Sequence, residues 1–420
     1  MIRKVVADYP LAIIALALSA FGIAIVYSAG QTDARIAADL VAYQRQLAWF
    51  GMAVAVAYVV SRASVRFLEW ATFPAYALAI ALLVFTLFFG SGAGTAASVK
   101  GWLTIGGVRL GQPAELAKIT VVLMLARLLS ARREPPKSLV ELWQPAAAVL
   151  LPWALVMLQP DLGTGMVFIG IFFAMLFWAG VSGPLLLLLA SPAVSLVMAF
   201  NTGLWGAWFL ILIAVVLWYK PYVVEGVVLI VANVVMGVAA PLLWEKLNPY
   251  QQRRLLVFLD PSQDPKASGY HVIQSQIAIG SGGVTGRGFL NGTQKRGAFL
   301  PEQTTDFIFA VVGEELGFLG VTLALTLFLF LFLRVIRVAS RASDNYSSLV
   351  AFGLLGSWFV HVIENIGMTL NLMPITGIPL PFFSYGGSAM LACWLSVGIL
   401  IRISSEGRGE ADALPIGLRR

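Results

Sequence analysis

What most constrains this chain is the recurrence of long apolar runs, each near the length that a lipid bilayer demands. A helix needs about 20 predominantly apolar residues to cross the hydrocarbon core. Such runs lie near residues 10–29, 46–61, 70–90, 113–130, 143–159, 164–180, 184–200, 204–219, 222–244, 305–333, 348–370 and 385–402. The sequence therefore predicts an all-α polytopic integral membrane protein, a helical bundle of about twelve spans. Soluble domains carry roughly 25% charged residues. This chain carries 12% over 420 residues, too thin a polar coat for several soluble domains. A single cysteine, Cys393, excludes a disulfide scaffold. The first run reads as an anchor rather than a cleaved leader. It is long, and Tyr27-Ser28-Ala29-Gly30 leads into a polar loop and a second span.

Orientation follows from cations in the short loops. With the N-terminus in the cytoplasm, Arg3, Lys4, Arg62, Arg66, Arg132, Arg133, Lys137 and Lys220 fall inside, as do Arg334, Arg337, Arg341 and Arg402. The opposite loops hold few: Arg35 and Arg45 in one, Lys100 and Arg109 in another. Both termini are thus expected in the cytoplasm and the long segment 245–304 outside. Residues 1–403 read as one transmembrane domain, and 404–420 as a polar, mobile cytoplasmic tail. The net charge of +7 suits anionic lipid headgroups. Its cations are scattered between apolar runs, which argues against a nucleic-acid partner.

Polar groups inside such a chain are expensive, so they carry the functional expectations. Pro113 suits the first position of a helix, placing the start at Gln112. Glu115 and Lys118 then share a face. They read either as a dipole-favoured pair at the membrane edge or as part of a site. Trp102 and Arg109 read as interfacial anchors or as site residues, and their concentration at one loop–helix junction favours a site. In Gln159-Pro-Asp161-Leu-Gly-Thr164, Asp161 is expected to cap the next helix.

The external segment and its end carry Arg253, Arg254, Asp260, Asp264, Lys266, His271, Arg287, Lys295, Arg296, Glu302 and Asp306. Its cations suit a phosphate-bearing substrate, and its carboxylates suit a general base or a divalent metal. Spacing does not choose between Asp260, Asp264, Glu302 and Asp306. Glu314 and Glu315 read as a cap or as partners for a basic loop residue. From Pro374 to Ser388, three prolines and three glycines at membrane depth imply irregular backbone lining a cavity, with Ser384 among them. Cys393 reads as buried, and His271 and His361 have no metal-ligand spacing. Gly280-Ser-Gly-Gly-Val-Thr-Gly286 lacks the ending of a nucleotide loop.

Four ordered blocks resemble the SEDS family (shape, elongation, division and sporulation). They are Gly101-Trp-Leu with Arg109-Leu-Gly-Gln-Pro-Ala-Glu-Leu-Ala-Lys118, and Gln159-Pro-Asp-Leu-Gly-Thr164. The third is Asp264-Pro-Lys-Ala-Ser-Gly-Tyr-His-Val-Ile-Gln-Ser275, continuing through Leu300 to Gly317. The fourth runs from Asn365-Ile-Gly-Met through Pro374-Ile-Thr-Gly-Ile-Pro-Leu-Pro to Ser384-Tyr-Gly-Gly-Ser388. Gly292-Thr-Gln294 looks more like the elongation branch than the division branch.

The resemblance implies a peptidoglycan glycosyltransferase polymerising lipid II at the outer face of the cytoplasmic membrane. Expected partners are a class B penicillin-binding protein, other elongation-complex proteins and membrane lipids. The family's essential aspartate maps onto Asp264. Arg109, Gln112, Glu115 and Lys118 match important positions, and Arg45-Gln46 resembles a conserved pair. Trp102 and Ser384 complete the expected substrate contacts, with Asp161, Glu302, Asp306, Glu315 and Pro374 in support. Asp264 would act as base or hold a divalent cation, Mg or Mn. Arg45, Arg109 and Lys118 would offset charge on a diphosphate leaving group in a single inverting displacement. A lipid-linked precursor flippase and a non-catalytic scaffold are the competing classes. One departure stands out: the family core has ten spans, and about two more lie within 184–244 here.

Overall fold

The computed structural model describes residues 8–33, 40–92, 100–105, 108–247, 249–261, 268–300 and 302–413. The expected spans appear as α1 (Tyr9–Gly30), α2 (Ala42–Arg62), α3 (Val65–Phe89), α4 (Pro113–Ser130), α5 (Trp143–Met157) and α6 (Leu162–Trp178). There follow α7 (Gly183–Met198), α8 (Thr202–Tyr219) and α9 (Val223–Lys246). The long segment between the spans forms α10 (Pro249–Leu259), α11 (Ser268–Gly282) and α12 (Thr293–Arg296). The chain ends in α13 (Ile308–Ser340), α14 (Asn345–Thr369) and α15 (Gly387–Ala413). Lipid offers no hydrogen bonds, so these segments satisfy their backbone internally as helices.

Local signals set their ends. Asp8, Ser64, Asp161, Asn201 and Asp344 cap helices through side-chain oxygens. Among the described residues, eight helices are long and apolar enough to cross a membrane, and α6 and α7 are shorter apolar helices. The more polar α4 is buried along nearly its whole length, where protein rather than lipid faces its charges. It packs against α3, α5 and α14, while α14 also packs against α6 and α13.

Three features depart from the expectations. A small antiparallel sheet, β1 (Gly90–Ser91), β2 (Trp102–Ile105) and β3 (Val108–Gly111), leads into α4. The region after Ser404 begins as packed helix rather than mobile tail. Ser404 Oγ donates to Asp8 Oδ2 at 2.6 Å, and Asp8 also accepts both ends of an Arg334 fork. Glu406 Oε1 accepts from Arg402 Nε and from the Val65 amide. The long segment before α13 is likewise packed. A Cβ on Gly282 would collide with the Gly313 carbonyl oxygen, so α11 and α13 touch backbone to backbone. Gly317, at φ 60°, breaks α13 at the same contact.

Within 184–244, α8 and α9 join α7 in a satellite with its own small core of Leu188, Leu212 and Leu229. Apolar side chains gain little by leaving lipid for protein, so polar bonds hold such helices together. Asn233 on α9 donates to Ser191 Oγ at 2.8 Å and accepts from Ser195 Oγ at 2.6 Å. Trp208 on α8 donates to Ser195 Oγ at 3.1 Å. The turn at Lys220 docks on the loop before α5. Tyr219 donates to the Lys137 carbonyl, and buried Glu225 accepts from the Val140 amide.

Candidate active site

The junction built by β3, Pro113 and α4 delivers a buried chain of polar groups. Gln112 is the N-cap residue of α4 and Pro113 its first helical residue. One turn on, Glu115 Oε1 accepts from Lys118 Nζ at 2.7 Å, with both residues buried. The pair therefore lies inside the bundle, not at an exposed membrane edge. Lys118 Nζ is also 2.6 Å from His361 Nε2 on α14, and His361 Nδ1 is 3.1 Å from the Pro379 carbonyl oxygen. A charged lysine has only donors, and a carbonyl only accepts. His361 must then carry its proton on Nδ1, giving it to Pro379 and receiving one from Lys118. The irregular Pro374–Ser388 segment is thus wired to α4 through a single tautomer. A cavity of about 20 Å³, room for about one water, lies among Lys118, His361, Pro381, Cys393 and Ser396.

The neighbouring groups close the same region. Asp161 caps α6 through Thr164 and accepts from Gln112 Nε2 at 3.1 Å, joining the first two motif blocks. Asn365 donates to the carbonyls of Asp306 and Ile378. Arg254 on α10 donates to the Thr376 carbonyl at 3.1 Å. The lack of a side chain at Gly377 (φ +74) lets Asp306 and Arg254 approach closely: a Cβ there would be 3.2 Å from Asp306 Oδ2. Glu302 turns the chain before α13, its carbonyl accepting the amides of Thr305, Asp306 and Phe307.

Several expected site residues take other duties. Ser384 Oγ donates to the Thr305 carbonyl at 2.6 Å and accepts from the Leu380 amide, so it latches two segments together. Arg45 is exposed on α2, whereas its neighbour Gln46 is buried and holds Ser384 and Gly386 by their backbone. Trp102 is half-buried on β2, and Pro374 is half-buried in the irregular segment. Arg109 sits on β3, its side chain outside the described residues. Asp264 also lies outside them. Glu315 belongs to a separate buried cluster with Lys295 and Ser28.

His361 and Asn365, named in the sequence but given no site role, and Glu364, not named there, are neighbours of the site. Glu364 is buried beside Lys118 and Thr376. The signal was present: three polar residues at i, i+3 and i+4 share one helix face within a span. Among the described residues, no three acidic, histidine or cysteine side chains converge as a metal site.

Exchanging the pair, Glu115→Lys with Lys118→Glu, is expected to restore folding better than either single change. Each single change leaves a buried charge unpaired, typically at about 3–5 kcal/mol. The exchange also sets a carboxylate against His361 Nε2, so activity is expected to stay low. Full recovery of both thermal stability and activity would reduce the pair to a packing role.

Burial pushes the Asp306 carboxyl up to about 7, with the Glu302 charge adding and Arg254 opposing. An unfolded aspartate titrates near 3.8, so the native state keeps its proton over a window where the unfolded chain loses it. Stability from this group is then full below about pH 4 and is lost as pH rises toward 7. Asp306→Asn is expected to flatten that part of a thermal-stability profile between pH 4 and 8. A variant profile parallel to wild type would remove Asp306 as the cause.

The relationship to known chains extends over nearly the whole fold. The FtsW/RodA/SpoVE model, described as cell cycle protein, matches residues 9–205 and 193–409. Peptidoglycan glycosyltransferase RodA of Treponema pallidum is 35% identical, covering 95% of this chain and 98% of its own. Peptidoglycan glycosyltransferase MrdB of Escherichia coli K12 is 36% identical, over 96% and 95%. A solved chain, from work on structural coordination of polymerization and crosslinking by a peptidoglycan synthase complex, superposes with a TM-score of 0.68 at 29% identity. That match covers 96% of this chain and 98% of the other. The chain belongs to the FtsW/RodA/SpoVE family of cell cycle proteins, the SEDS proteins its motifs resemble.

Proposed function

We propose that this protein is a peptidoglycan glycosyltransferase that polymerises lipid II at the outer face of the cytoplasmic membrane, for cell elongation and shape. The observation that carries this reading is coverage: relatives named for that activity match 95–96% of the chain and 95–98% of themselves. No large part of such an enzyme lacks a counterpart here.

In this reading Asp264 takes the proton of the attacking sugar hydroxyl, the role a positioned carboxylate performs best. Attack on the anomeric carbon expels undecaprenyl diphosphate and inverts the centre. Arg45 and Arg109 would offset the developing negative charge. Lys118, its charge already engaged by Glu115, orients His361 and the Pro374–Ser388 wall; Gln112 and Asp161 hold the α4 and α6 entries together. Trp102 supports the substrate beside the sheet. Asp264 would also be the residue to hold a divalent cation, Mg or Mn, whose charge would help offset the negative charge that develops there.

The partner in this reading is a class B penicillin-binding protein, alongside other elongation proteins. The similar chain from a complex that coordinates polymerization and crosslinking supports it. Both termini lie in the cytoplasm, on the count of loop cations. Residues 1–403 act as one transmembrane domain, with 245–304 outside.

The test is purified protein with lipid II, with and without its partner, read as glycan chains on a gel. Product without a transmembrane gradient is expected and separates the enzyme from a flippase. No product under any partner condition would leave the scaffold reading in its place.

A further inference from the structure

At the end of the bundle opposite the external segment, a cavity of about 180 Å³ with a mainly polar wall lies between α4, α6 and α14. It has no part in the site described above. Arg132 and Arg133, just past the end of α4, line it with Trp178, Asn345 and Ser348. Charge counting puts this end at the cytoplasmic leaflet.

The wall is built rather than incidental. Trp178 Nε1 donates to Ser348 Oγ at 2.9 Å, tying the end of α6 to the first turn of α14. Arg132 is held by the Glu141 carbonyl at 2.6 Å and lies 3.7 Å from its carboxylate, while Arg133 is exposed. The acidic group on the wall, Glu134, pairs with Lys137. Asp344 spends its carboxylate on Ser347 and Ser343. The cavity thus offers two guanidinium groups, a hydroxyl and an amide, which is the donor set for a phosphate.

Apolar surface adjoins it directly. Trp178 stacks on Phe352 at 4.2 Å between ring centres, and Phe177 beside them is 63% exposed. A cationic pocket between helices, with an aromatic shelf running toward the membrane interior, matches both halves of an anionic lipid. We propose that this pocket binds the phosphate of an anionic phospholipid headgroup, with the acyl chains along Phe177 and Phe352.

The full-length protein in detergent would be titrated with phosphatidylglycerol, with phosphatidylethanolamine and with inorganic phosphate, and read by native mass spectrometry and thermal shift. Phosphatidylglycerol is expected to be retained and to raise Tm, and phosphatidylethanolamine to do neither. Arg133→Gln, at an exposed position that leaves the fold intact, should weaken phosphatidylglycerol binding several-fold. Arg132→Gln with Arg133→Gln should weaken it at least tenfold, and Arg133→Lys should retain most of it. An equal shift with inorganic phosphate upholds the phosphate site and makes its source a soluble anion. Equal retention of both lipids, or unchanged affinity in a well-folded Arg133→Gln protein together with the double variant, would overturn the proposal.

Discussion

Glycan synthesis by Asp264→Ala protein is expected to fall by about 10²–10⁴-fold, the usual contribution of a positioned general base. Membrane insertion and thermal stability should stay at the wild-type level, because the change removes a carboxylate from a polar segment between spans. Asp264→Asn should be as damaging as Asp264→Ala, since an amide keeps the shape and loses the base. Asp260→Asn is the internal control. Composition and spacing treat the two aspartates alike, and only the SEDS resemblance singles out Asp264.

The flanking structure gives that comparison weight. On one side, Arg254 of α10 is bonded to the Thr376 carbonyl. On the other, Ser275 and Gln276 of α11 are bonded to the carbonyls of Thr369 and Leu370. Both helices bordering the aspartates are therefore fixed to one short stretch, Thr369–Thr376, beside the irregular wall. Purified Asp264→Ala protein that polymerises lipid II at the wild-type rate, with its partner present, would end the assignment. Loss of activity in Asp260→Asn alone would move the base four residues upstream.

What was legible in the sequence was whatever a short window encodes. Apolar length marked the spans, Pro113 marked the start of α4, and Asp161 marked the cap of α6. Prolines and glycines at membrane depth marked the irregular segment. Glu115 and Lys118 were legible as a pair because they are three residues apart.

The third member of their chain was not. His361 is 243 residues from Lys118, and no local period announces that α4 and α14 will meet. The same holds for Gln46 against Ser384, and for Ser404 against Asp8 across 396 residues. Arg45 drew attention because it is charged. Burial gave the closer role to Gln46, whose neutral amide can both donate and accept against backbone. The small sheet was hidden for a different reason: strands of two to four residues are too short to show alternation.

Lys295→Met is expected to cost about 3–5 kcal/mol, the usual penalty for leaving a buried ion unpaired. Lys295 and Glu315 are both fully buried, with Nζ 2.8 Å from Oε1. Ser28, at the end of α1, accepts from Lys295 at 3.0 Å and donates to Glu315 at 2.6 Å. Beside them Glu314 accepts the amides of Gln294 and Lys295, so the two adjacent acids are respectively a cap for α12 and a counter-ion for its lysine. Gln303 adds a bond to the Ala29 carbonyl. Together these bonds hold α12 and Gln303 against α1 and the start of α13, close before Asp306. Lys295→Met with Glu315→Met removes both charges and should recover much of the lost stability, because two apolar side chains of similar length need no counter-ion. Activity should not return with it, since the segment leading to Asp306 then lacks its polar register with Ser28. A Tm equal to wild type for Lys295→Met would remove the ion pair as a source of stability and leave the clamp to its hydrogen bonds.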